Sequence, residues 1–225
     1  MLRAVTFDMD DTLRQVHPFP PQLRFMELCA AAGIALSNEQ ALAAVRARKR
    51  FHEDRKARRE PANAAWSFQY ARVGLEAAGV PGDLDQLSTA VRDARRRMPA
   101  PSVLDPDVPK VLERLRSQGF LLGVVSNWGA NLAEAMASYG IAQYFASIVD
   151  SVTAGVSKPD PAIYRMACAQ MGVAPGECVH VGDSVVDDVG VARAAGAVAV
   201  LYDPLDDLDA GCPRIHRLMH LLALV

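Results

Sequence analysis

The 225-residue sequence lacks the marks of several protein classes. Its net charge is only −2 at pH 7, which argues against a globally basic nucleic-acid-binding protein. The longest interval without a charged residue runs from 117 to 133 and is broken by Ser, Gln and Asn, so no transmembrane helix is predicted. The first apolar stretch is cut by Asp8, and we expect no signal peptide.

Cysteine is also scarce, and recognisable motifs of unrelated enzymes are missing. The four cysteines show no CxxC spacing, which predicts reduced thiols in a cytoplasmic protein. Walker A, GxGxxG, HExxH and GxSxG patterns are absent, which disfavours the enzyme classes that depend on them. Hydrophobic residues, by contrast, make up 51% of the chain, enough to build a folded core.

The chain divides into two regions of different composition. Residues 22–98 are rich in Ala, Leu and Arg at helical spacing, and proline clusters at 18–21 and 99–101 flank them. Elsewhere apolar runs alternate with helical patterns, which predicts a parallel sheet. We therefore predict an α/β, Rossmann-like core with helices on both faces, formed by 1–15 plus 101–225, and an inserted all-α cap at 16–100.

The alternation gives specific boundaries for the core. Predicted strands lie at 3–8, 120–125, 146–149, 178–181 and 197–201. Predicted helices lie at 106–118, 129–138, 160–171 and 186–195.

Charge is distributed unevenly between these regions. Residues 14–100 hold 15 basic and 9 acidic residues, a net charge of +6, and the remainder carries −8. Either the insert simply has solvated basic helix faces, or some of its arginines attract an anionic ligand.

Polar residues follow three of the predicted strands. Asp8 ends the first, Ser126 and Asn127 end the second, and Asp183 ends a later one. Ligands of open parallel sheets bind outside the carboxyl ends of the strands, so these residues are expected to converge on one site.

Asp8 and Asp10 are placed for joint chemistry. Alternate residues of an extended segment share a side, so both can address one point while Asp11 points away. Two such carboxylates repel unless a cation or a shared proton lies between them. The pair fits a Mg²⁺ site, and it also fits a nucleophile with a general acid. A solvated acidic turn is the structural alternative.

A second acidic group comprises Asp183, Asp187 and Asp188. Asp183, at the strand end, is the better candidate metal ligand. Ser184 followed three residues later by Asp187 resembles a helix cap, so a purely structural role for Asp187 in capping stays open.

A single lysine stands out among the four that the sequence contains. Pro159 biases Lys158 toward extended backbone, and Asp160 with Pro161 is expected to begin the next helix. A cation held there could offset the charge of Asp8 and of a bound phosphate. Ser126 and Asn127 precede a predicted helix, and backbone N–H groups plus a hydroxyl there could cradle that phosphate.

These segments, in this order, resemble the haloacid dehalogenase-like hydrolase superfamily, in its phosphatase branch with a C1-type helical cap. Asp8-Met9-Asp10-Asp11-Thr12 is similar to the DxDx[TV] first motif. Ser126 resembles the second motif, Lys158 the third, and residues 182–188 the fourth.

The resemblance implies a role for each matching residue. Asp8 would be the nucleophile and Asp10 the general acid and base, with Ser126 and Lys158 as further catalytic residues that hold the phosphoryl group beside Asn127. Asp8, the Asp10 backbone carbonyl and Asp183 would bind Mg²⁺. Asp188 would act in the outer shell of the metal, and Asp187 stands where relatives often carry Asn.

The resemblance therefore implies a Mg²⁺-dependent phosphatase that forms an aspartyl-phosphate from a small phosphorylated metabolite. A phosphomutase or phosphotransferase, a 2-haloacid dehalogenase and an inactive binding protein are the alternatives. No nucleic-acid or membrane partner is expected, and the chain would be a monomer or homodimer. The candidates for substrate contacts in the cap are His17, Phe19, Arg50, His52, Arg55 and Trp66, although a solvent-facing or packed side chain is the favoured interpretation for each.

Overall fold

The computed structural model describes residues 1–15, 20–60 and 63–225. Within them the chain forms two compact units, residues 1–15 with 104–225, and the described part of residues 16–103. We refer to these as the α/β unit and the helical unit. The sequence-based boundary at 100/101 lies three residues before this division. The proposed cap residues His17 and Phe19 lie outside the described residues.

The α/β unit is built on a six-stranded sheet in the order β5-β4-β1-β6-β7-β8, and every neighbouring pair is parallel. Its strands are β1 (Ala4–Phe7), β4 (Leu121–Ser126), β5 (Ser147–Asp150), β6 (Cys178–Gly182), β7 (Val198–Tyr202) and β8 (Arg214–Ile215). Two short strands form a separate sheet, β2 (Arg14–Gln15) and β3 (Val103–Leu104).

The buried strands of the large sheet carry apolar side chains on both faces, so helices cover both faces. Val5 and Phe7 of β1 pack on one side, and Ala4 packs on the other. The first side is covered by α5 (Val108–Ser117), α6 (Leu132–Ser138) and a 3₁₀ segment at Leu218–Ala223. The second is covered by α8 (Pro161–Met171) and by Val191 of α9 (Gly190–Ala195). A one-turn helix, α7 (Ser151–Ala154), follows β5.

The helical unit consists of α1 (Pro21–Ala31), α2 (Asn38–Ala57), α3 (Ala64–Ala77) and α4 (Leu84–Arg97). Local caps set where its helices begin. The Ser37 hydroxyl accepts the Gln40 N–H at 3.1 Å while the Gln40 side chain accepts the Ser37 N–H at 3.0 Å. Asp83 accepts the N–H groups of Asp85 and Gln86 at the start of α4.

The predicted fold class is confirmed, with some differences in detail. Asp160 caps α8 with Pro161 in its first turn, as the sequence indicated. The sequence patterns did not predict β2, β3 or β8, which are two residues long and carry too little periodicity to be noticed. None of the described helices is both long and apolar enough to cross a bilayer. The C1-type assignment of the helical unit stays a prediction.

Candidate active site

The strand ends that carry the polar residues meet at one edge of the sheet. Strand β1 lies between β4 and β6, and Phe7 is in register with Val124 on one side and Val181 on the other. The Asp8 N–H group donates to the Val181 carbonyl at 2.9 Å, which extends the β1–β6 pairing by one residue. Asp8, Ser126 and Asp183 therefore leave three adjacent strands at the same edge, as the sequence predicted.

Lys158 lies between two carboxylates at this edge. Its ammonium Nζ is 2.8 Å from Asp8 Oδ1 and 2.6 Å from Asp188 Oδ1. The side chains of Lys158 and Asp188 are almost completely buried, at 2% and 1% exposure. Burial opposes the charge on Lys158, but the attraction of Asp188 and Asp8 outweighs it and raises the pKa of the ammonium group. The lysine is consequently a fixed cation.

Asp188 is held from three directions. It lies in a π-helical turn, Val185–Val189, that precedes α9. Its Oδ2 accepts the Ser184 N–H at 3.0 Å, and its Oδ1 lies 3.3 Å from His180 Nε2. Its carboxyl group also packs directly on the backbone of Gly182, where a Cβ atom would overlap it. This carboxylate is thus positioned to orient Lys158.

Three carboxylates cluster beside the lysine. Oxygen atoms of Asp8, Asp183 and Asp188 all lie within 4.8 Å of one another. Asp8 Oδ1 is buried and accepts no hydrogen bond from the described residues, although Lys158 lies beside it as an ion-pair partner. Hard oxygen donors grouped in this way suit Mg²⁺, so the residues present fit the ion that the motif implies.

Asp10 lies apart from that cluster and has its own partner. Its Oδ1 accepts a hydrogen bond from Arg14 Nε at 2.7 Å. Burial raises the pKa of Asp10 to about 6, with smaller contributions from the charges of Asp11 and Asp8, while Arg14 opposes the rise. Near pH 6 this carboxyl group therefore exists in both protonation states, as an acid–base catalyst requires. Asp11 itself is exposed in a left-handed turn at φ 55°.

The side chain of Asn127, just after β4, holds the backbone of Lys158 in place. The Asn127 side chain accepts the Lys158 N–H at 2.8 Å and donates to the Lys158 carbonyl at 3.1 Å. The side-chain amide of Asn127 is thereby engaged with the backbone of Lys158, and a contact of Asn127 with phosphate stays a prediction. Ser126 is buried at the end of β4, and residues 127–131 separate it from the start of α6. The helix predicted at 129–138 therefore begins three residues later than the sequence indicated.

Asp187 lies next to Asp188 in the chain, and its backbone takes part in a helix cap. Its N–H group donates to the Ser184 hydroxyl at 3.0 Å, which is the capping arrangement predicted from the sequence. Asp187 is half-buried, and it is not a member of the three-carboxylate cluster found among the described residues. Its role at the metal stays a prediction.

Two residues of the site escaped sequence reasoning. His180, between two valines of β6, is buried as its position in an apolar run predicts, and its ring bridges the Thr6 hydroxyl, 3.0 Å from Nδ1, and Asp188, a contact with the site that the sequence does not indicate. Its position two residues before the end of an apolar strand was the available signal. Arg14 was not singled out, although its spacing of four residues from Asp10 matches the contact.

Similarity to known proteins agrees with this geometry. A family model described as haloacid dehalogenase-like hydrolase matches residues 2–196. A phosphoserine phosphatase from Thermus thermophilus is 36% identical over 146 residues, which span 62% of this chain and 57% of that protein. A ribulose-1,5-bisphosphate 5-phosphatase from Halopiger xanaduensis is 29% identical over 224 residues, which span 93% of this chain and 88% of that protein.

The fold comparison points the same way. A crystal structure of a HAD phosphatase from Thermococcus onnurineus superposes with a TM-score of 0.61 at 24% identity, over 99% of this chain and 97% of that one. This similarity bears on the fold alone. Because the family model spans most of the sequence and its motif residues meet at one sheet edge, the chain belongs to the haloacid dehalogenase-like hydrolase family.

Proposed function

We propose that this protein is a Mg²⁺-dependent phosphatase that hydrolyses a small phosphorylated metabolite through an aspartyl-phosphate. The observation that carries the proposal is the environment of Asp8. Its carboxylate is buried at the sheet edge, 2.8 Å from the Lys158 ammonium and beside the carboxylates of Asp183 and Asp188. Such an anion, held by a fixed cation, is suited to attack a phosphoryl group that the same cation attracts.

In the first step, an Asp8 carboxylate oxygen attacks phosphorus and the bond to the leaving oxygen breaks. Asp10 donates its proton to that oxygen, which departs as an alcohol. In the second step, the deprotonated Asp10 takes a proton from water, whose oxygen attacks phosphorus. The phosphorus–Asp8 bond then breaks, releasing inorganic phosphate and restoring both carboxyl groups.

The remaining residues align the phosphoryl group and offset its charge. Lys158 and Ser126 would contact its oxygens, together with the Asn127 N–H group. Asp188 holds Lys158 in place, and His180 holds Asp188. Asp8, Asp183 and the Asp10 backbone carbonyl would hold Mg²⁺, which supplies charge neutralisation when bound.

The presence of Asp10 favours ester hydrolysis over one of the alternatives, dehalogenation. A departing halide needs no proton, whereas a departing alkoxide does, so a residue with a pKa raised to about 6 favours phosphate-ester hydrolysis over dehalogenation. A phosphomutase would use the same two aspartates, and a test for phosphate release separates it from a phosphatase. The phosphoserine and ribulose-bisphosphate phosphatases similar to this chain support a small phosphorylated substrate.

The test is release of inorganic phosphate from an aryl phosphate and from a panel of phosphorylated metabolites, with Mg²⁺ and after metal chelation. Asp8→Asn should lower kcat by about 10³-fold or more, because an amide is a poor nucleophile. Chelation should abolish turnover, and added Mg²⁺ should restore it. Asp11→Asn, in the exposed turn, is the matched control and should retain activity. Undiminished turnover by pure Asp8→Asn, or by chelated wild type, would refute the mechanism.

A further inference from the structure

The helical unit contains a cavity of about 420 Å³ between its own helices. Four arginines line it, Arg48 of α2 with Arg92, Arg95 and Arg96 of α4, and no Asp or Glu is among the described residues that do so. Aromatic rings from α1 and α3 complete the wall, those of Phe25, Trp66 and Tyr70. The cavity therefore combines a high density of positive charge with flat apolar surface.

Arg48 is the cavity arginine that contacts the aromatic wall, and none of the described carboxylates offsets its charge. Its guanidinium carbon lies 4.7 Å from the Phe25 ring centre and 4.1 Å from that of Tyr70. Across 1–15, 20–60 and 63–225, no carboxylate forms an ion pair with it. Burial lowers the pKa of Arg48, Tyr70 counteracts that, and the neighbouring charge of Arg95 lowers it further. The charge is thus costly in the absence of an anion.

Two buried N–H groups at the cavity wall also lack acceptors. Arg48 Nε and Trp66 Nε1 are both buried without a hydrogen-bond partner among the described residues. Buried donors without an acceptor destabilise the folded protein. A ligand that carries only acceptor oxygens would satisfy both donors and offset the arginine charge.

The cavity arginines differ from one another in their existing partners. Arg96 already pairs with Asp93 at 3.2 Å. Arg92 lies 5.8 Å from the centre of the Phe68 ring. Among the described residues no carboxylate forms an ion pair with Arg48, Arg92 or Arg95, so these three provide the charge that a ligand could offset.

We propose that this cavity is a binding site for a small organic anion, a carboxylate or another oxyanion on a flat apolar body. The anionic group would accept hydrogen bonds from Arg48 and Trp66, and the apolar body would lie against the aromatic wall. The site is formed entirely by the helical unit, so it is independent of the residues proposed for phosphoryl transfer.

The decisive experiment measures binding of isophthalate, an aromatic dicarboxylate, and of its neutral diamide. The parent protein is Asp8→Asn with Trp128→Phe, kept free of Mg²⁺, so that Trp66 is the sole tryptophan of the chain. Isophthalate should change Trp66 fluorescence saturably and raise the unfolding temperature, since it binds the folded state. The diamide should do neither.

Variants of the parent assign the effect to the cavity. Arg48→Met keeps the apolar stem and should weaken isophthalate binding by about tenfold or more, the equivalent of one charge-assisted hydrogen bond. Arg48→Lys should recover part of it. Arg97→Met, which removes a charge from the same helix as Arg95 but does not line the cavity, should change Kd less than about twofold. Should Arg48→Met fail to fold, Arg95→Met provides the same test at an exposed position.

Steady-state kinetics of the protein with Asp8 intact show whether the bound anion is part of the substrate or a separate effector. If the site takes part of the substrate, isophthalate should inhibit aryl phosphate hydrolysis competitively. If it takes a separate effector, isophthalate should change kcat. In both cases Arg48→Met should remove the effect. Absence of a saturable response, an equal response to the diamide, or unaltered binding by Arg48→Met would overturn the proposal, whether or not phosphatase activity is found.

Discussion

Each unit contains a cation packed among other side chains, the buried Lys158 and the half-buried Arg48, and the two are held in different ways. In the α/β unit, Lys158 lies between Asp8 and Asp188, and each of these contacts is shorter than 3 Å. In the helical unit, Arg48 rests on the rings of Phe25 and Tyr70 with no carboxylate partner among the described residues. A paired cation belongs to a network that keeps one geometry, whereas an unpaired cation beside a cavity is suited to take its counter-charge from a ligand.

The same contrast applies to the carboxylates of the α/β unit. Asp188 is bonded to Lys158 and to the backbone, and it lies beside His180. Asp10, by comparison, is partly exposed and pairs with one arginine. The rigid carboxylate orients a charge, and the accessible one has the proton equilibrium that its proposed acid–base role needs.

The largest expected effect is that of Lys158→Met on stability, compared with the same replacement at Arg48. Lys158→Met leaves the buried carboxylates uncompensated and should lower the free energy of unfolding by about 3–5 kcal/mol. Arg48→Met should change it by less than about 1 kcal/mol, because the lost ring contacts are offset by removal of an unpaired charge. Urea denaturation without Mg²⁺ measures both. Similar losses in the two variants would show that the cations are not held differently.

A smaller effect is expected at Gly182. A Cβ atom there would overlap the Asp188 carboxyl group, so Gly182→Ala should displace Asp188 and with it Lys158. We expect a loss of about 1–3 kcal/mol in stability, typical of overpacking, and a fall in kcat of about tenfold or more. Gly176→Ala is the control, since the nearest atom to its Cβ, the Gly196 carbonyl oxygen, is 3.7 Å away. Wild-type kcat in Gly182→Ala would contradict a positioning role for Asp188.

The smallest effect concerns the pH dependence of stability. The pKa of Asp10 is about 6 in the folded protein, compared with 3.8 for an aspartate without the folded surroundings. The folded state therefore binds the proton more tightly than the unfolded chain does. Stability contributed by this group is therefore present below about pH 4 and is lost as the pH rises toward 6. Because the Asp10 side chain is 42% exposed, solvent screening should keep the change below about 1 kcal/mol.

Variants of this pair sharpen the comparison with Asp188. Asp10→Asn should remove the decline in unfolding free energy between pH 4 and 6. Arg14→Met should shift the decline to higher pH, because Arg14 lowers the pKa of Asp10. Denaturant titrations at a series of pH values, without Mg²⁺, measure both changes. A pH profile for Asp10→Asn that matches the wild type would mean that another group titrates in this range.

Much of the α/β unit could be predicted from the sequence because its signals are local. A buried strand four to six residues long gives an uninterrupted apolar run, and the polar residue after it marks the strand end. Parallel pairing then brings Asp8, Ser126 and Asp183 to one edge whatever the details of packing. Short elements such as Arg14–Gln15 and Arg214–Ile215 could not be found, because two residues show no periodicity.

The partners of each side chain were decided only by the tertiary structure. That Asn127 binds the Lys158 backbone, that His180 contacts Asp188, and that Arg48 lies between Phe25 and Tyr70 depend on which faces of distant elements meet. The sequence by itself determined the order of the elements and which strand ends carry the chemistry, since both follow from hydrophobic periodicity along the chain. It did not determine the ion pairs or the arginine-lined cavity, because these arise from the rotation of helices and the packing of side chains far apart in sequence.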